Sequence, residues 1–74
     1  HEGMMVAYNE CQAYDIEGHG DGWRLRNMFY NTYMEKAKVS KSTAERHFKD
    51  YGGSLFKSKK SGGRVFIRKV GDVQ

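Results

Sequence analysis

The chain has no proline and only one cysteine, Cys11. One cysteine cannot close an internal disulfide, so a disulfide-stapled secreted miniprotein is excluded. The expected setting is intracellular: the cytoplasm, or the nucleus in a eukaryote. With proline absent, glycine is the strong breaker of regular structure that remains. No apolar run approaches the roughly 20 residues of a membrane span. No secretory signal pattern is visible. There is no CxxC or HxxxH spacing, so Cys11, Asp15, Glu17, His19 and Asp21 do not read as a metal site. Gly18-x-Gly20-x-Gly22 lacks the lysine and the flanking strand of a phosphate loop. Neither His19 nor His47 has a Ser or Cys beside it in a recognisable triad. No enzyme, no cofactor and no small-molecule substrate is therefore expected.

Lysine and arginine are missing from residues 1–22, which carry Glu2, Glu10, Asp15, Glu17 and Asp21, a charge of −5. Residues 23–74 hold all 13 cations against Glu35, Glu45, Asp50 and Asp72, a charge of +9. A chain divided in this way presents one basic side, which suits a polyanion. Its 74 residues make one domain with a modest core. Hydrophobic residues at 38% and aromatics at 14% support a folded core. The chain opens on His1, so residues 1–3 read as an added remnant, or the chain as a piece of a longer protein.

Met4, Ala7, Tyr8, Cys11 and Tyr14 recur at helical spacing and predict a first helix over about 4–15. Gly18-His-Gly-Asp-Gly22 is expected to break the chain, with Asp21 capping the next helix. That second helix is predicted over 23–37. Trp23, Leu25, Phe29, Tyr30, Tyr33, Met34 and Ala37 fall within about half its circumference. A third helix is predicted over 41–51, capped by Ser40 or by Ser42 with Glu45 in a capping box. Ala44, Phe48 or His47, and Tyr51 would face inward, and Gly52-Gly53 would end the helix in a left-handed residue. The period then changes to 2. Residues 54–70 read as a hairpin turning at Lys59-Lys-Ser-Gly-Gly63.

Val39-Ser-Lys-Ser-Thr-Ala-Glu-Arg46 resembles the Val-Ser-x-x-Thr-x-x-Arg pattern of bacterial and phage helix-turn-helix regulators. Val39 would plug the angle between two helices, and Ala44 is small enough for their close approach. The resemblance implies that Lys41, Ser42, Thr43, Arg46 and His47 face DNA bases from a recognition helix. The pattern often has Gly before the Val, where this chain has Lys38, and a small Ala earlier, where it has Met34. The hairpin that follows makes the layout similar to a winged helix. The implied fold is α+β: a three-helix bundle with a two-stranded wing, one domain over 1–74. The wing would put Lys57, Lys59, Lys60 and Arg64 on DNA phosphates, joined by Arg24 and Lys49.

The implied partner is double-stranded DNA, in transcription regulation or in replication. A second copy or a longer parent protein is a further candidate partner. Phe29-Tyr-x-x-Tyr33 and the final Val65-Phe-Ile-Arg-Lys-Val70 are also similar to the C-terminal winged-helix domains of phage and plasmid primase-helicases. Two alternatives stay open. A winged helix can serve as a protein-interaction module. Phe56 and Phe66 sit on the hairpin, and an exposed one would open a route to single-strand or RNA binding.

Overall fold

The computed structural model of the chain describes residues 2–70. His1, the first of the expected remnant, lies outside them, whereas Glu2 and Gly3 belong to the first helix. That helix, α1, spans Glu2–Glu10 and buries Met4, Ala7 and Tyr8 on one side. It ends short of the expected residue 15. The Cys11 N–H closes the last turn on the Tyr8 carbonyl at 3.2 Å.

The expected glycine break is a hairpin instead. β1, Tyr14–Ile16, pairs antiparallel with β2, Gly20–Leu25. Trp23 and Leu25 therefore lie in a strand, and Asp21 caps no helix. Residues two apart share a sheet face as well as they share half a helix, so Trp23 and Leu25 fit either period over so short a window. α2 accordingly starts at Arg26 and runs to Ala37, burying Phe29, Tyr30 and Tyr33. Lys38 ends it in the left-handed region, φ 56° and ψ 49°, with its N–H on the Met34 carbonyl. This is the position where the regulator pattern often carries glycine.

α3 spans Lys41–His47, and Ser40 is its cap, with its Oγ accepting from the Thr43 N–H at 3.3 Å. Ser42 lies inside the helix, so the Ser42–Glu45 box does not form the cap. A π-helical turn, Phe48–Gly52, and a last helical turn, Gly53–Leu55, follow. The wider turn shifts the phase of what comes after it. Tyr51, expected to face inward, is 44% exposed. Gly52 and Gly53 have φ of −70° and −62°, so neither ends the helix left-handed. Glycine is needed at 52 for its size, because a Cβ there would stand 2.8 Å from the Phe48 ring.

β3, Phe56–Ser61, and β4, Arg64–Lys69, form a hairpin within the expected 54–70, but Ser54 and Leu55 stay helical, Lys59 to Ser61 belong to the strand, and the turn is only Gly62 and Gly63, at positive φ. The antiparallel sheet has four strands rather than two, in the order β1-β2-β4-β3. The domain is thus α+β, with three helices packed on one face of a four-stranded sheet. That face carries Phe56 and Ile67 into a core with Met4, Tyr8, Phe29 and Tyr33. Phe29 meets Phe56 at 5.3 Å and Phe48 at 5.7 Å between ring centroids. Each such buried ring contributes about 1.5–3 kcal/mol. On the other face, Ile16, Trp23 and Phe66 form a second, smaller cluster, with Tyr14 and Leu25 against it.

Two polar anchors hold the layers. The Tyr8 hydroxyl donates to the Gly22 carbonyl at 2.8 Å and accepts from the Lys69 N–H at 3.0 Å, so α1, β2 and β4 meet on one oxygen. Arg68, buried at 8% exposure, donates from Nη1 to the His19 and Asp21 carbonyls at 2.8 and 3.1 Å. Its guanidinium lies 5.3 Å from the centre of the Trp23 ring. A Cβ at Gly20 would come within 2.9 Å of that Nη1, so glycine there makes room for the strut.

Candidate nucleic-acid interface

The residues expected to meet DNA lie mainly on α3 and the β3–β4 hairpin. Ala44, fully buried, fixes which side of α3 faces the core. Lys41, Ser42, Glu45 and Arg46 are exposed, and Lys49 is exposed on the π-helical turn beyond them. Ser40 holds the helix start in a small hydroxyl cluster, its Oγ lying 3.2 Å from Ser42 Oγ and 3.1 Å from Thr43 Oγ1. Thr43 is half-buried there. Val39 packs against the main core between α2 and α3, as does Met34.

Two of the side chains expected to meet DNA are engaged inside the fold. His47 is half-buried, and its Nδ1 lies 2.8 Å from the Tyr33 hydroxyl. Its ring also meets Tyr33 and Tyr51 edge-on. Arg24 bonds through Nε to the Tyr8 carbonyl at 3.1 Å and through Nη1 to the Gly22 carbonyl at 2.6 Å. Its guanidinium stacks 4.1 Å from the Tyr8 ring centre. Arg24 is thus tied to α1 and to its own strand.

On the hairpin, pairing assigns the cations to faces. Lys57 stands opposite Arg68, Lys59 opposite Phe66, and Ser61 opposite Arg64. Paired residues share a face. Lys57, Lys59 and Arg64 therefore lie on the sheet face turned away from the helices, with Arg68 buried among them. Lys60, opposite Val65, lies on the other face near the turn. Among the described residues, no carboxylate pairs with Lys57, Lys59, Lys60 or Arg64. The ion pair from Lys36 to Glu10, at 2.7 Å, ties α2 to α1.

Phe56 and Phe66 are both buried, at 4% and 8% exposure, so the hairpin offers no aromatic platform for an unpaired base. Phe56 packs into the main core, and Phe66 packs with Ile16 and Trp23 of the β1–β2 hairpin. Sequence reasoning missed Arg68 and the second cluster. The one signal for them is period-2 spacing in Trp23, Leu25 and Phe66, Arg68, which the glycines between Gly18 and Gly22 obscured.

Among the described residues, no three His, Cys, Asp or Glu side chains come together to hold a metal ion. Cys11 is buried against Thr32, at 3.7 Å, and burial pushes its thiol above the usual range, with the Thr32 hydrogen bond opposing. No helix among them is long and apolar enough to cross a membrane. No family model, curated protein or solved structure matches the chain.

Proposed function

We propose that the domain is a winged helix that binds double-stranded DNA, with α3 in the major groove and the β3–β4 hairpin on the sugar–phosphate backbone. One observation carries this. A capped helix exposing Lys41, Ser42 and Arg46 is followed, within two turns, by a hairpin with four cations that no described carboxylate neutralises. Such a set repels itself, and a polyanion relieves that repulsion. Arg46 is the base reader, since a guanidinium can give two hydrogen bonds to guanine. Lys60, on the helix side of the hairpin, grips phosphate beside α3, and Lys57, Lys59 and Arg64 reach the backbone from the other face, around the edge strand and the turn, without reading sequence. Arg24 and His47 contribute by holding the frame that presents these groups. Such a domain serves a regulator of transcription or a replication protein.

The test is selection of bound sites from a random duplex pool, with Arg46→Ala alongside. The variant is expected to lose about 1–3 kcal/mol at the selected site and to blur its sequence preference. Lys59→Gln with Lys60→Gln is expected to weaken binding to every duplex and to lower the salt slope by about one for each phosphate no longer gripped. A folded Arg46→Ala protein with unchanged affinity and preference would overturn the major-groove assignment. No duplex binding at low or physiological salt would favour a protein-interaction module instead.

A further inference from the structure

A groove of about 390 Å³ opens where the amino end of α2 meets the base of the hairpin turn. Leu25, Met28 and Val65 give it apolar surface, and Arg26, Asn27 and Arg64 give it polar surface, with Gly63 at the turn. Met28 is 48% exposed, a large apolar side chain left at the surface. None of these lining residues is a carboxylate. The α2 amino end adds to the positive character of the groove: Leu25, at the cap position, offers no side-chain acceptor, and the first turn holds no acidic residue. The Arg26 Nε is buried and has no hydrogen-bond partner.

We propose that this groove docks a short segment of a partner protein in which an Asp or Glu stands beside a large apolar side chain. Complementarity of two kinds supports such an occupant. Methionine and arginine are the side chains that protein interfaces favour, the one adapting to an apolar partner and the other meeting a carboxylate. The volume lies at the lower end of ligand sites and takes a few side chains rather than a folded domain. A sugar–phosphate backbone satisfies the arginines but leaves Leu25, Met28 and Val65 uncovered. A second copy of this chain is a poorer fit: it offers Asp50 beside Tyr51, but that ring already lies edge-on against His47. Its Glu10 is paired with Lys36, and the Ile16 side chain between Asp15 and Glu17 is buried. The site does not depend on the DNA proposal, although Gly63 to Val65 belong to both surfaces. A partner held here would therefore compete with a duplex gripping the turn.

The test is panning of phage-displayed random heptapeptides against the domain at physiological salt. The most enriched peptide is then synthesised with a fluorescein label. Enriched peptides are expected to combine Asp or Glu with Leu, Ile, Phe or Met. Binding of the labelled peptide is expected to fall about tenfold in Arg64→Gln and in Met28→Gln, and to survive Lys57→Gln with Lys59→Gln. Amide shifts of the unaltered protein on peptide addition should centre on Arg26–Met28 and Gly63–Val65, a readout that needs no variant to fold. The proposal is overturned by any of three results: no enrichment, enrichment of polyacids without an apolar residue, or shifts that centre elsewhere. Met28 lies outside the proposed DNA surface, so peptide binding weakened in Met28→Gln with duplex binding intact supports a groove separate from that surface.

Discussion

Tyr8 carries more of the fold than its place in the short first helix suggests. Its hydroxyl meets a carbonyl of β2 and an amide of β4 that lies 61 residues away in sequence. Tyr8→Phe keeps the ring on Phe56 but removes the oxygen that the Gly22 carbonyl and the Lys69 amide share. The expected loss is about 1–3 kcal/mol, measured as a lower urea midpoint at unchanged slope. Cys11 adds a dependence on pH. Burial raises its thiol in the folded state, so the folded protein keeps the proton where the unfolded chain releases it. Stability should therefore decline as pH rises through the ordinary thiol range. Cys11→Ala should flatten that decline, as followed by thermal unfolding at about pH 7 and about pH 9.5, on either side of the ordinary thiol value. Tyr30 shifts in the same direction, chiefly through burial, and extends the decline to higher pH.

At the scale of elements, the joint between α2 and α3 has a clear weak point. Lys38 takes a left-handed conformation that costs a residue with a Cβ about 1–2 kcal/mol. Lys38→Gly should raise the urea midpoint and leave the structure of α3 unchanged, as followed by its amide spectrum. A stability unchanged or lowered would mean that the Lys38 side chain compensates for its backbone. This joint was legible in the sequence: Val39, Ser40 and Ala44 occupy the plug, cap and close-approach positions that their chemistry suggested. The β3–β4 hairpin was legible too, through its period of 2 and its paired glycines. The β1–β2 hairpin was not. Its glycines look like a break, whereas two of them sit inside a strand, one of them where Arg68 needs space. The π-helical turn was equally hidden, because the fit of Gly52 against Phe48 leaves no trace in periodicity. Of the candidate site, the exposed cations were readable from charge. The inward commitment of Arg24 and His47 was not, since it depends on Tyr8 and Tyr33 arriving from other elements.

Across the whole molecule, charge and burial are sorted by the order of the strands. The acidic β1 and the lysine-bearing β3 are the two edges of the sheet, and β4 lies inside it. β4 is also the strand covered on both faces. Phe66, Ile67 and Arg68 are buried in succession, into the small cluster, the main core and the strut to β2. Amide hydrogen exchange should therefore be slowest at Phe66 to Arg68 and fastest in the β1–β2 turn, with β3 between them. Faster exchange in β4 than in β3 would show that the small cluster opens independently of the main core.

This placement bears on how the chain is made as well as on how it holds. A ribosome releases α1 and the β1–β2 hairpin first, yet both wait for a strand that is synthesised near the end of the described residues. Until Lys69 has emerged, Tyr8 lacks its second partner, Trp23 lacks the guanidinium that covers it, and β2 lacks its inner neighbour. Local helices can flicker earlier, but the long-range pairing that fixes them comes late. Folding of the domain thus waits for β4, so a chain cut short before Arg64 is expected to be degraded by a protease that leaves the chain with β4 intact.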